Sequence, residues 1–504
     1  MTRIVIHKRR LLQGLAGAAA LSVLPAWRRA AAAAAYDVIV VGAGTAGMPT
    51  AIFAAQREAK VLVIDRAPVT GGTLDRSTGQ MAAAGTVFQK AKGIVDSADA
   101  HYDDNMRINN YTADPVLTRL FVDNAGDTLN WLAANGFAVR DGHPVKGGGH
   151  EPFLTARYQW GEEGGKSIYK VMDPLFAAAV AKGNVTLALN TAAVDLIQDA
   201  AGAVLGVTCE DEAGRKQDFM GRNVVLAAGG CAANPRLYEE LHGTALTAQI
   251  AYPYSQGQGL LLGLGAGGYV RGGEHYNPLF GTLLADDNQP SEPQGGFISD
   301  PERRPPWEIY VNARGRRFVR EDEASVDRRE KALGRQPGHR MWVIADRAML
   351  DQAPPFMSWT KDKVMEAFDS HPMFAKADTV EALGVKAGID PKGLADTVTA
   401  YNAALAAGAT DPLGRRHRPR PLAQGPFYAV RFTGWTVIAF AGLAVDGQLR
   451  VIRADGTPIP NLYAAGEVIG AGATSGNAYT NGSMVTPALT FGRLLGQKML
   501  KVKA

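Results

Sequence analysis

Cysteine is nearly absent from this chain of 504 residues, which has only Cys209 and Cys231. Two thiols cannot build a disulfide framework, a CxxCH haem site or a cysteine-rich metal site, so both read as core or near-core residues. His143, His150 and His275 have no metal-ligand spacing either, and no metal is expected. Blocks of like charge and internal repeats are missing, which excludes acidic or basic tails and solenoids. With 46% hydrophobic and 20% charged residues, disorder, collagen-like sequence and coiled coil are also excluded.

Glycine is abundant. The 58 glycines exceed the average share of about 7% and cluster near residues 42–47, 229–230 and 466–482, a pattern that backbone approaching a ligand would produce. The length implies two or more domains and a large core. The formal charge of +4 misleads, because Arg3, Lys8, Arg9, Arg10, Arg28 and Arg29 precede the first acid. Beyond residue 35, 47 basic residues face 49 acidic ones, so no nucleic-acid partner is expected.

Residues 1–35 read as an export signal: a basic start, a mildly apolar stretch from Leu11 to Trp27, then Arg28, Arg29 and an alanine run. The stretch is too short and too rich in Gly and Ala to span a bilayer, which takes about 20 strongly apolar residues. Arg9 and Arg10 directly before it resemble a twin-arginine signal, which would engage the export machinery and place the mature chain in the periplasm or outside the cell. A general secretory signal and a chance Ala-rich tail are the alternatives.

Tyr36–Val41 is a buried-strand pattern, followed by Gly42-Ala43-Gly44-Thr45-Ala46-Gly47, a helical run to about Ala59 and a second strand over residues 60–65. Strand, glycine-rich turn, helix, strand and terminal acid make a dinucleotide-binding βαβ unit. Gly42 allows the tight turn, Gly44 lets backbone approach a pyrophosphate and Gly47 allows close helix packing. The helix N-terminus at Thr45, Ala46 and Gly47 would supply N–H groups, and Asp65 would bond the adenosine ribose. The other GxG string, at residues 263–268, follows a helix-like run and reads as a helix stop. No second fingerprint follows a strand, which argues for one dinucleotide and against a dedicated NAD(P)H domain.

Two further strings, residues 223–231 (NVVLAAGGC) and 461–467 (NLYAAGE), each run a strand into a small-residue turn. Together with the βαβ unit and residues 476–492 (GNAYTNGSMVTPALTFG), they resemble the FAD-dependent fumarate reductase and succinate dehydrogenase flavoprotein family. That family includes 3-ketosteroid 1-dehydrogenases, nearest in the final segment, and urocanate reductase. The resemblance covers essentially residues 36–500. It implies an α/β fold with a discontinuous Rossmann-like FAD-binding domain, residues 36–272 and 440–504, and an inserted α+β capping domain at 273–439. The family's cap string matches residues 311–322. Further FAD contacts implied by the resemblance are Arg66, Gly71, Gly72, Thr73, Ala228, Gly229, Gly466, Glu467, Met484 and Val485, with Glu467 on the ribose or ribityl hydroxyls. Residues 71–79 contain no histidine, so FAD is expected to be noncovalent. The helix beginning near Met484 would aim its positive end at the flavin.

Family members move a hydride between flavin and a carbon beside an activating carbonyl or carboxylate, while a side chain transfers the proton. One group must polarise the carbonyl and another must act as acid or base. Where the fumarate branch has an arginine in the final segment, this chain has Tyr479. Its hydroxyl, with the Gly482 N–H, would grip a ketone oxygen; packed under the flavin, it would instead bond backbone. The position of the family's proton carrier aligns with Ser325, a poor acid or base, so either Arg328 or Arg329 shifts in or another segment supplies the group. Tyr158, Tyr169, His150, Tyr276 and Tyr310 are candidates. Ile438 replaces the histidine that orients fumarate. With all three groups missing, fumarate is not the expected substrate, and Trp435, Ile438 and Phe440 suit a neutral ring or ketone. The resemblance therefore implies an FAD-dependent oxidoreductase acting on a CH–CH or C=C bond of a small molecule, foremost as a ketone dehydrogenase. An ene-reductase and a non-catalytic FAD-binding protein are the alternatives. Electrons would pass to or from a separate quinone, cytochrome or O₂.

Overall fold

The structure, a computed structural model, describes residues 36–502, so the expected export segment lies outside the described residues. Tyr36–Val41 forms the first strand, the helix Gly47–Gln56 follows the glycine-rich turn, and Val61–Ile64 forms a fully buried second strand. The two strands run parallel, with Val38 opposite Val61. Such unbroken apolar runs are what strands covered on both faces require.

The main sheet has the order Arg450–Ile452, Pro458–Ala464, Lys216–Leu226, Tyr36–Val41, Val61–Ile64, Val185–Ala188. Lys216–Leu226 serves twice. Its first half closes an antiparallel meander with Thr191–Gln198 and Val204–Asp211, and its second half runs parallel to both Tyr36–Val41 and Pro458–Ala464. Early, middle and late segments of the chain therefore meet in one sheet, the discontinuous α/β architecture that the sequence implied. The helix Val485–Leu494 continues from the last of these segments and lies on Gly47–Gln56. A Cβ on Gly492 would stand 2.2 Å from the Ala46 carbonyl oxygen, so only bare backbone lets the two helices touch.

A second sheet, antiparallel throughout, has the order Pro293–Gly296, Leu279–Leu284, Phe427–Trp435, Arg340–Asp346, Ile309–Val311, with Phe374–Ala377 also paired to Phe427–Trp435. Alternation along its strands feeds two cores: Tyr310, Met341 and Val343 face one, while Ile309, Val311, Trp342 and Ile344 face the other. Within residues 311–322, Arg317 is held between Glu321, at 2.5 Å, and Asp411, at 2.6 Å.

One buried ion cluster bears on the site. Arg157 is fully buried and bonds Asp96 at 2.6 Å and Asp104 at 2.5 Å. Arg107, from the same helix as Asp104, reaches Glu151 at 3.3 Å. These bonds tie the glycine-rich loop around residues 147–152 to the helix Ala98–Ile108.

Candidate active site

The glycine-rich turn is built by contact. Gly42 has φ +113°, a conformation that L side chains rarely adopt, and a Cβ there would lie 2.3 Å from the Ala227 carbonyl oxygen. A Cβ on Gly47 would lie 1.8 Å from the Gly42 carbonyl oxygen. Gly44 differs: the nearest atom to an added Cβ is the Gly72 Cα, at 3.6 Å, so the space in front of it is open. No side chain caps the helix at Ala46, and none caps the helix Val485–Leu494 at Met484, whereas Ser97, Asp114 and Thr360 cap theirs. Two helix starts with free N–H groups, beside bare backbone, fit a ligand carrying a pyrophosphate and a polar ring edge.

Asp65 accepts the Ala43 N–H at 2.6 Å and the Ala67 N–H at 2.8 Å, bracing the turn. Burial pushes its carboxyl above the usual value, against the pull of those two bonds. Arg66 is exposed. Gly71 donates to the Ala43 carbonyl at 2.8 Å, and Gly72 and Thr73 open a short 3₁₀ turn beside Gly44. Ala228 and Gly229 follow the strand that abuts Gly42, and Gly466 lies against Ala46. Glu467 accepts the Ala439 N–H at 2.8 Å, and burial raises its pKa to about 7. Thr45 is half-buried on the same turn. The turn, residues 71–73, 228–229 and 466–467 thus meet at the C-terminal ends of the parallel strands, the place where open α/β sheets have their ligand crevice.

Tyr479 sits beyond that crevice, packed with Phe440 and Ala471, and Tyr276, Leu279, Ile438 and Met484 border the group. Its hydroxyl donates to the Asn277 carbonyl at 2.9 Å and lies 3.4 Å from the Thr436 hydroxyl. Of the two arrangements open from sequence, the hydroxyl adopts the backbone-bonded one, and gripping a ketone would require exchanging that bond. Gly482 presses on the backbone of Met81 and Ala82.

Ser325 uses its hydroxyl to accept the Arg328 N–H and so caps the helix Val326–Gly334. Arg328 is 76% exposed and pairs with Glu323 at 3.6 Å. Arg329 is buried, bonds the Ser299 carbonyl and lies over the Phe280 ring. Burial lifts the hydroxyl pKa values of Tyr158, Tyr276 and Tyr310, making them weak acids. Tyr169 bonds Thr70 and Asp173, both at 2.9 Å.

His150 is placed differently. Its Nδ1 lies 3.3 Å from Asp327 and 3.9 Å from Glu330, and its ring centre is 5.4 Å from that of Tyr479. Burial pulls the imidazole pKa down, but the bond to Asp327 and the charges of Glu330 and Asp327 outweigh it and leave it raised. Burial pushes Glu330 up to about 8. Burial also opposes ionisation of Asp327, yet His150 and the Glu151 N–H hold it below the usual carboxylate range. Glu330 further accepts the Asn277 side-chain N–H at 3.0 Å. Ligand atoms of His150, Asp327 and Glu330 lie within 4.8 Å of one another, near enough to share a cation. Spacing could not reveal this, since the partners lie far along the chain from His150.

A βαβ turn, a helix start left uncapped and a second uncapped helix from a distant segment of the chain define a dinucleotide-binding fold. The FAD binding domain family matches residues 37–483, and the chain belongs to that family. Fumarate reductase (cytochrome) of Shewanella frigidimarina is 31% identical over 472 residues, covering 92% of this chain and 77% of its own. Vinyl phenol reductase of Lactiplantibacillus plantarum is 28% identical, covering 86% of this chain and 89% of its own. The open conformation of a flavocytochrome c3 fumarate reductase superposes with a TM-score of 0.67 at 26% identity, over 92% of this chain and 78% of that one. The protein is an FAD-dependent oxidoreductase.

Proposed function

We propose that this oxidoreductase acts across a carbon–carbon bond, C=C or CH–CH, of a small neutral conjugated substrate, and that it runs as a reductase fed by a separate electron donor such as a cytochrome or quinol. The observation that carries this reading is the lining beyond the crevice. Where the resemblance led to an arginine, an arginine and a histidine, the chain has Tyr479, Ser325 and Ile438, and Tyr479 and Ile438 belong to an apolar cluster with Phe440, Leu279 and Met484. A carboxylate would be desolvated there without either arginine of that set, whereas a neutral ring would gain by burial. The names of the two similar enzymes favour reduction, and vinyl phenol is a neutral conjugated alkene.

FAD, held by residues 42–47, 71–73, 228–229, 466–467 and 484–485, supplies the hydride when bound. The chain's own residues exclude water around Tyr479 and orient the substrate against the apolar cluster. Its attachment is noncovalent, since residues 66–80 offer no histidine. Export through residues 1–35 belongs to the same proposal; among the described residues no helix is long and apolar enough to cross a membrane.

The test is anaerobic spectroscopy of the purified holoenzyme. Reduced with dithionite, it should be reoxidised by vinyl phenols or cyclic enones and not by fumarate. Bleaching of the oxidised flavin by saturated ketones or 3-ketosteroids, with no reoxidation by alkenes, would replace the reductase with a dehydrogenase. Silence in both directions would leave an FAD-binding protein without this chemistry.

A further inference from the structure

We propose that His150 is the proton carrier of this site, oriented by Asp327 and supplied with protons through the surface cleft that Asp327 lines. The inference rests on the carbon–carbon bond chemistry proposed above and names the group that sequence alignment leaves missing.

The aligned position cannot do the work. The Ser325 hydroxyl is committed as a helix cap, Arg328 lies in solvent with Glu323, and Arg329 is bonded to the Ser299 carbonyl. The helix that Ser325 caps nevertheless delivers two carboxylates, Asp327 in its first turn and Glu330 one turn on, against the loop that carries His150. Asp327 is fixed on both oxygens: one takes His150 Nδ1 at 3.3 Å, and the other accepts the Glu151 N–H at 2.6 Å. A carboxylate so held sets both the tautomer and the ring orientation of its histidine. Nδ1 is thereby occupied, and Nε2 is the nitrogen left for a substrate.

The cluster also has an inner and an outer end. Inward, the His150 ring lies against Tyr479, and Glu330 is bonded to Asn277, whose carbonyl receives the Tyr479 hydroxyl. Outward, Asp327 lines a cleft of about 220 Å³ together with Arg107, Asn110, Glu151, Arg328 and Lys331. The charged groups facing the imidazole are Asp327, Glu330 and Arg329, and Lys331 faces Asp327. Burial raises the Glu330 carboxyl to about 8, while Asp327 is held below the usual carboxylate range, so Asp327 is the carboxylate that pairs with the imidazolium.

In the reductive direction the hydride adds to one alkene carbon and the Nε2–H proton adds to its neighbour. The electron pair of the N–H bond stays on nitrogen, leaving a neutral imidazole whose Nδ1–H remains on Asp327. Solvent entering by the cleft restores the proton. Oxidation of a saturated substrate reverses each movement.

The experiment compares wild-type holoenzyme with His150→Gln and Asp327→Asn, each checked for equal FAD content and full dithionite reduction so that misfolding is excluded. Reoxidation of the reduced enzyme by vinyl phenols and enones is followed by stopped flow across pH. His150→Gln should slow it by about 100-fold or more. The wild-type rate should fall as pH rises through the imidazole pKa, and Asp327→Asn should move that limb to lower pH. A His150→Gln rate within about threefold of wild type, or a limb unmoved in Asp327→Asn, overturns the assignment while leaving the carbon–carbon reading intact. Stoichiometric divalent metal in the holoenzyme overturns it in favour of a metal site. If wild type transfers no electrons to or from any alkene or ketone, the broader reading falls and the proton carrier with it.

Discussion

Replacing Gly44 by alanine separates what the fold needs from what the cofactor needs. An added Cβ would find no protein atom nearer than the Gly72 Cα, at 3.6 Å, an ordinary contact, and Gly44 lies outside the positive-φ region. Without ligand the variant should be as stable as wild type, or more so by about 0.4–1 kcal/mol, because alanine restricts the unfolded chain. The methyl carbon, about 1.5 Å out from Cα, fills the open side of the turn, where a pyrophosphate would rest on backbone N–H groups. Each such charge-assisted bond contributes about 1.5–3 kcal/mol, so displacing one costs roughly 10- to 140-fold in affinity. Gly47→Ala is the contrast. Its Cβ would stand 1.8 Å from the Gly42 carbonyl oxygen and 3.2 Å from Val40 Cγ1, so the apoprotein itself should lose about 1–3 kcal/mol. The assay is FAD titration of deflavinated protein by fluorescence quenching, with thermal unfolding of the same samples. A Gly44→Ala protein that binds FAD within about threefold of wild type would refute the claim that cofactor approaches this backbone.

Three further outcomes are expected. His242 is held neutral, with a pKa pulled down to about 4 by burial, and its Nε2 accepts the Phe440 N–H at 3.0 Å and the Ala441 N–H at 3.1 Å. The unfolded chain takes up this proton below about pH 6.5 and the folded one only near 4, so stability should fall by up to about 3 kcal/mol as pH drops across that window. Urea denaturation should show the slope flattened in His242→Gln, and parallel curves would refute it. Arg157→Met leaves Asp96 buried without its cation and Asp104 with Arg107 alone, at 3.0 Å, and should cost about 3–5 kcal/mol, read as a lowered urea midpoint. Ser325→Ala should cost about 1 kcal/mol as a lost helix cap, with turnover retained, while Arg328→Ala, on an exposed side chain, should stay within about 0.5 kcal/mol of wild type; loss of turnover in either would return the proton carrier to this stretch.

The nucleotide half was readable because its signals are local. Tyr36–Val41 and Val61–Ile64 are unbroken apolar runs around a glycine turn, and the helix proposed near Met484 begins at Val485. Expected boundaries ran slightly long: the first helix ends at Gln56 instead of Ala59, because Arg57 leaves helical geometry and Glu58 takes φ +58°. The second sheet was not readable in detail, since its strands pair across up to 156 residues, as Leu279 does with Trp435, and their alternation serves two cores. Chemistry in the site failed to show for a similar reason. His150 stood among several candidates, but nothing near it in sequence distinguishes it. What singles it out is contact with Asp327 and Glu330, a product of tertiary packing. Tyr479 was visible through its segment, but its bond to the Asn277 carbonyl was not.

The pairing of Pro458–Ala464 with Lys216–Leu226 has a consequence for how the protein is made. Both the last strand beside the centre of the nucleotide sheet and the helix that closes on Ala46 come from the end of the chain. A nascent polypeptide that still lacks residues beyond 458 therefore has a glycine-rich turn with no second wall. Cofactor capture waits until residues 458–494 have been made, after the intervening antiparallel sheet, and a product truncated before them would be released colourless.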